Sequence, residues 1–123
     1  MNARVLIVED EDIVAACLEL TLQDFGYEVA ARASSGEEAV RLAEEMRPDL
    51  ILMDVTLDGV LDGIEAAGRI REQLNIPVVY LTALTDAETL RRARATGPSG
   101  YLVKPFDAKT LREVLETALR DRS

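Results

Sequence analysis

Pro48-Asp49-Leu50-Ile51-Leu52-Met53-Asp54 carries four consecutive large apolar residues and ends on a carboxylate. Four residues are too few for a buried helix, and an unbroken apolar run suits a strand covered on both faces. Strands of that kind belong to parallel sheets flanked by helices. The acid closing the run then lies at the carboxyl edge of the sheet, where open α/β folds bind their ligands.

Outward from this stretch the pattern repeats. Val5-Leu6-Ile7-Val8, Val78-Val79-Tyr80-Leu81 and Tyr101-Leu102-Val103 are further short apolar runs, with a weaker, mixed one from Tyr27 to Arg32. Their Val, Ile and Tyr content favours strands. Helical spacing fills the intervals. Ile13, Leu18 and Leu22 fall near one face of a first helix. Ser35-x-x-Glu38 reads as a capping box before Val40 and Leu42. Ile64, Ala67, Ile70 and Leu74 mark a third helix. A fourth spans about 86–95 and is stopped by Gly97-Pro98. Asp107 caps the last, which carries Leu111, Val114, Leu115 and Leu119. Five strand–helix units in strict alternation predict an α/β fold with a parallel sheet. The continuous runs are expected at its centre, and the mixed run with Glu28 and Arg32 at an edge.

The 123 residues suit one domain, expected to occupy 1–123 with no output domain in this chain. An apolar content of 48% is enough for a core. The net charge of −9 argues against direct nucleic-acid binding, which needs clustered cations. The lone Cys17 cannot pair internally, and its place among Val14, Leu18 and Leu22 predicts a buried, inert thiol. No apolar run approaches membrane-span length, so a cytoplasmic protein without membrane contact is expected. Histidine is absent altogether, which removes the commonest general base and any phosphohistidine role.

The central runs end on polar residues of a particular kind. Glu9-Asp10 closes the first, Asp54 the third, Thr82 the fourth and Lys104 the fifth. Adjacent parallel strands lie about 4.8 Å apart, so these side chains converge at one edge. Three carboxylates against one ammonium leave two net negative charges. Like charges this close need a proton or a cation between them, and all-oxygen donors suit Mg²⁺. A carboxylate so placed can attack phosphorus, as aspartyl-phosphate chemistry requires.

The pieces Val8-Glu9-Asp10-Glu11, Pro48 to Asp54, Tyr80-Leu81-Thr82-Ala83 and Gly100-Tyr101-Leu102-Val103-Lys104-Pro105-Phe106, in that order, resemble the receiver domains of two-component response regulators over the whole chain. The resemblance implies a flavodoxin-like doubly wound (βα)5 fold with strand order 2-1-3-4-5. It makes Asp54 the phosphoacceptor and Glu9, Asp10 and Asp54 the metal site, with the Thr56 backbone carbonyl as a further Mg²⁺ ligand. Lys104, before a cis peptide to Pro105, pairs with the phosphoryl group. Thr82 and Tyr101 form a switch, although a fixed core or edge-strand aromatic is the alternative for Tyr101. The implied partners are a sensor histidine kinase or phosphotransfer protein as donor, and a second copy docking through helix 4, strand 5 and helix 5. The domain is then a signalling module, not an enzyme, catalysing only its own phosphorylation and slow dephosphorylation. Thr56 and Leu84 flank the hydrolytic water and offer it no carboxylate or amide.

In one place the chain departs from the family. Residues 55–63, Val-Thr-Leu-Asp-Gly-Val-Leu-Asp-Gly, lack the usual proline and carry one extra residue. Two rival functions share the fold. An unphosphorylated interaction module would have lost the acceptor, an acid or the lysine, and all are present. An aspartyl-phosphate hydrolase would carry a second Asp where Thr56 stands.

Overall fold

The computed structural model describes residues 2–57, 59, 61–83 and 87–121. Among them, strands and helices alternate: β1 (Arg4–Val8), α1 (Asp12–Asp24), β2 (Glu28–Ala33), α2 (Gly36–Met46), β3 (Leu50–Asp54), α3 (Gly63–Gln73), β4 (Val78–Thr82), α4 (Ala87–Ala95), β5 (Gly100–Val103) and α5 (Ala108–Asp121). The strands form one parallel sheet of order β2-β1-β3-β4-β5, the flavodoxin-like arrangement. β3 sits at the centre, and Leu50, Ile51, Leu52 and Met53 have no exposed surface. Burial of each such side chain is worth about 1.5–3 kcal/mol, which is why this run commands the middle of the sheet.

Side chains alternate along each strand and divide the core in two. Val5, Ile7, Leu50, Leu52, Val79, Leu81 and Leu102 face α1 and α5, meeting Leu18, Leu22, Leu111 and Leu115. Leu6, Val8, Ile51, Met53, Val78 and Tyr80 face the opposite layer, meeting Ala39 and Ala43 of α2, Ile64 and Ile70 of α3, and Ala93 of α4. Ala93 is the one buried residue of α4. That helix is therefore the least anchored by apolar packing.

Two expectations for α1 are overturned. Ile13 is 80% exposed, and Cys17 is exposed rather than buried. The buried face is set by Ala15, Leu18 and Leu22. Ile13 and Cys17 each stand two residues from Ala15, about 200° round a helix, and so point away from the sheet. Helix starts also differ in detail from the sequence reading. The Ser35 hydroxyl does accept the Glu38 N–H at 3.1 Å, but the Glu38 carboxylate takes the N–H of Ser34, not of Ser35. The reciprocal capping box is at α3, where Asp62 accepts from Glu65 N–H at 2.8 Å and Glu65 accepts from Asp62 N–H at 3.1 Å. Asp107 caps α5 as expected, accepting the Thr110 N–H at 2.8 Å. Gly97, at φ +68°, comes just after the end of α4. The expected start of that helix, Asp86, lies outside the described residues.

The start of α3 is pressed against the end of β3. Gly63 donates its N–H to Val55 at 3.2 Å, and a Cβ at Gly63 would stand 1.9 Å from the Asp54 carbonyl oxygen. No side chain can be accommodated there without moving one backbone off the other. Gly68, in the middle of the same helix, meets nothing closer than Thr96 at 4.0 Å. Gly63→Ala is accordingly expected to cost more than about 3 kcal/mol, beyond ordinary overpacking. Gly68→Ala is expected to gain about 0.5–1 kcal/mol from helix propensity. Urea unfolding of the two variants checks both signs, and a tolerated Gly63→Ala would contradict the close approach.

Candidate functional site

The parallel register brings the strand ends together. Val8 pairs with Met53, Asp54 with Leu81 and Thr82 with Val103, so the residues just beyond them share one edge. Lys104 reaches back across it. Its Nζ lies 3.2 Å from Glu9 Oε1 and 3.4 Å from Asp54 Oδ2. Glu9, Asp10 and Asp54 each place a carboxylate oxygen within 4.8 Å of the others. Glu9 and Asp54 are buried, Asp10 is half-buried, and the Lys104–Pro105 peptide is cis.

Backbone donors hold the acids in place. The Thr56 N–H donates to Asp54 Oδ1 at 3.0 Å, and the Glu11 N–H donates to Glu9 Oε2 at 3.3 Å. Burial pushes the Glu9 carboxyl up, to about 7, with Asp54 reinforcing the rise and Lys104 opposing it. Burial works against the Lys104 ammonium, but Asp54 and Glu9 outweigh it and hold its pKa above the usual value. A donor set of three carboxylates, all oxygen, half-buried at Asp10 and with two uncompensated charges when Glu9 is ionised, fits a hard divalent cation such as Mg²⁺.

Thr82 is buried at the end of β4, and its carbonyl accepts the Lys104 N–H at 2.8 Å. Tyr101 is half-buried, its ring 6.2 Å from that of Tyr80 and tilted by 32°. Tyr80 is fully buried, and in the sequence it reads only as part of an apolar run. Its hydroxyl lies 2.7 Å from Thr96 Oγ1, which itself donates to the Ala93 carbonyl, so Tyr80 is the donor and ties β4 to the end of α4. Burial pushes the Tyr80 phenol up to about 12, so it stays protonated. A signal for it exists in the chain: Tyr80 and Thr82 are two apart and share a strand face.

Leu61 and Asp62, just before α3, are held by neighbouring helices. The Leu61 N–H donates to Glu37 Oε1 of α2 at 2.9 Å, and Arg92 of α4 reaches Asp62 Oδ2 at 2.9 Å. Neither Glu37 nor Arg92 stands out in the sequence, because both read as solvated helix charges. Asp58 in the β3–α3 connection and Leu84, expected beside the hydrolytic water, lie outside the described residues.

The family model of the response regulator receiver domain matches residues 5–116. The chain belongs to that family. It is a receiver domain of the two-component kind, a signalling domain. The transcriptional regulatory protein PdtaR of Mycobacterium tuberculosis is 43% identical over 116 residues, covering 94% of this chain and 56% of PdtaR. The receiver thus spans about half the length of the curated relatives it matches. Among solved structures, the signal receiver domain of a modulated diguanylate cyclase from Desulfovibrio desulfuricans superposes with a TM-score of 0.94 at 43% identity, covering 99% of this chain and 97% of that one. The receiver domain of the sensor histidine kinase PA1611 from Pseudomonas aeruginosa, solved with a magnesium ion in its active-site cleft, gives 0.88 at 34% identity, covering 98% of this chain and all of that one. No helix among the described residues is long and apolar enough to cross a membrane.

Because the folded receiver holds the Glu9 proton more tightly than the unfolded chain does, its contribution is fully present below about pH 4.5 and is lost as pH rises through about 7. In chelator-treated protein, stability is expected to fall across that window by on the order of 3 kcal/mol. Glu9→Gln flattens the slope. Thermal melts from pH 4.5 to 8 check it, and an unchanged slope in the variant would remove Glu9 as its source.

Proposed function

We propose that this receiver is a phosphoacceptor switch in which Asp54 takes the phosphoryl group of a phosphohistidine on a sensor kinase or phosphotransfer protein. The observation that carries this reading is the meeting of Asp54 with Lys104, Glu9 and Asp10 at one sheet edge. A carboxylate oxygen of Asp54 forms the new bond to phosphorus as the bond from phosphorus to the imidazole nitrogen breaks. The imidazole leaves with the electron pair. Asp10 and Asp54, with Glu9 through water and the Thr56 carbonyl, would hold Mg²⁺, which supplies positive charge to the phosphoryl oxygens. Lys104 adds the second positive charge from the β5 side, and Thr56 N–H keeps Asp54 oriented. Positioning and electrostatics then do most of the catalysis.

The Thr82 hydroxyl, at the end of β4, moves to a phosphoryl oxygen, and Tyr101 turns inward into the space released. The face of α4, β5 and α5 is remodelled for a partner or second copy. Intact-mass measurement after incubation with acetyl phosphate and Mg²⁺ is expected to show one added phosphoryl group, absent in Asp54→Asn. Lys104→Met removes a charge-assisted contact worth about 1.5–3 kcal/mol, so labelling should slow about ten- to hundredfold. Equal labelling of Asp54→Asn would sink the assignment.

The phosphoryl donor docks along α1. Ile13 (80% exposed), Cys17 and Leu20 (64% exposed) form an apolar stripe that starts three residues after Asp10. It borders a groove lined by Val14, Leu18, Thr21, Phe106 and Leu111. A phosphohistidine must approach Asp54 from this edge, and its carrier covers the stripe. Ile13→Asp should slow transfer from a phosphorylated kinase about tenfold while leaving acetyl phosphate labelling intact. A kinase that transfers equally well to the variant would place its docking elsewhere.

A further inference from the structure

The Arg92–Asp62 pair links α4 to the backbone of the phosphoacceptor by a route separate from Thr82 and Tyr101. The link is short. Arg92 donates to Asp62 Oδ2 at 2.9 Å, and the other carboxylate oxygen of Asp62 caps α3 through the Glu65 N–H at 2.8 Å. The next residue, Gly63, is the one whose backbone lies against the Asp54 carbonyl and donates to Val55. Val55 in turn donates to Leu81 of β4 at 3.0 Å. The carboxylate that α4 holds is therefore carried by the residue directly before Gly63, which packs on Asp54.

Two further observations give this contact weight. Ala93 is the only buried side chain of α4, so polar ties contribute much of what fixes the helix. Among them, Tyr80 bonds to Thr96 just past its end, and Arg92 to Asp62 within it. Leu61, two residues before Gly63, is also clamped from α2. Glu37 accepts the Leu61 N–H, and Gly36 is so close that a Cβ there would stand 2.6 Å from the Leu61 carbonyl oxygen. Asp62 thus has little slack on the α2 side.

We propose that Arg92 is a positioning residue of the phosphorylation site, acting through Asp62 and Gly63 on the placement of Asp54. Because the coupling is a free energy shared between two places, it is reciprocal. A group bound at Asp54 shifts α4, and release of α4 weakens binding at Asp54. The inference rests on the phosphoacceptor reading of Asp54.

Beryllofluoride with Mg²⁺, titrated into the full chain by calorimetry, tests it. The series is wild type, Asp54→Asn, Arg92→Met, Arg92→Lys, Asp62→Asn and the Arg92→Met/Asp62→Asn double variant. Asn caps a helix as well as Asp does, so Asp62→Asn removes the ion pair and spares α3. Each neutralising variant is expected to weaken affinity about two- to fivefold, the range of a partly exposed pair. The double variant should be no weaker than either single, and Arg92→Lys should recover most of the loss. Unchanged affinity in Arg92→Met, or losses that multiply in the double variant, would overturn the coupling while leaving the phosphoacceptor reading intact. Wild type that takes up no beryllofluoride, or Asp54→Asn that takes it up equally, would instead overturn the phosphoacceptor reading and this inference with it.

Discussion

The Lys104 ammonium, set between Glu9 and Asp54, is the contact on which the rest of the candidate site depends. Three carboxylates at one sheet edge repel one another, and burial of two of them deepens the penalty. One cation relieves part of that cost and leaves the remainder as an appetite for protons or a divalent ion. The raised Glu9 carboxyl expresses this imbalance. It is a local instability that a stable sheet can carry, since the central strands beneath it are fully buried.

That stability is unevenly spread. β1, β3 and β4 are covered on both faces, whereas α4 buries only Ala93 and is tied by Arg92 to Asp62. A signalling domain needs such an asymmetry, because an element that moves must be drawn from the weakly held part of the fold. The sheet edge that holds the acids is firmly anchored, and the helix beside it is not. The contacts of Tyr80 with Thr96 and of Arg92 with Asp62 lie on the border between the two regimes.

Much of this is legible in the residues. The four-residue run ending at Asp54 locates the central strand, and the polar residues after each run locate the site, because a parallel sheet brings strand ends to one edge. Helix faces are less legible. Ile13 reads as inward-facing because it is apolar, yet the phase of α1 is set by Ala15, Leu18 and Leu22, and two residues of helix carry Ile13 to the far side. Cys17 misleads for the same reason. The cap of α3 is also hidden, since Asp62 looks like part of an irregular loop.

The alternation of elements, the edge where the acids and the lysine gather and the identity of those residues are all written in the chain. They depend on periodicity and strand order, which short stretches of residues encode. Which charges meet was left to the packing of distant segments. Glu37 and Arg92 are ordinary solvated helix residues when read along the chain, and they become ligands of the β3–α3 connection once α2 and α4 pack beside it. Tyr80 is likewise one apolar residue among four until Thr96, sixteen positions on, supplies its hydroxyl with a partner. Contacts of this kind depend on how helices pack across a sheet, and no local pattern of residues records that.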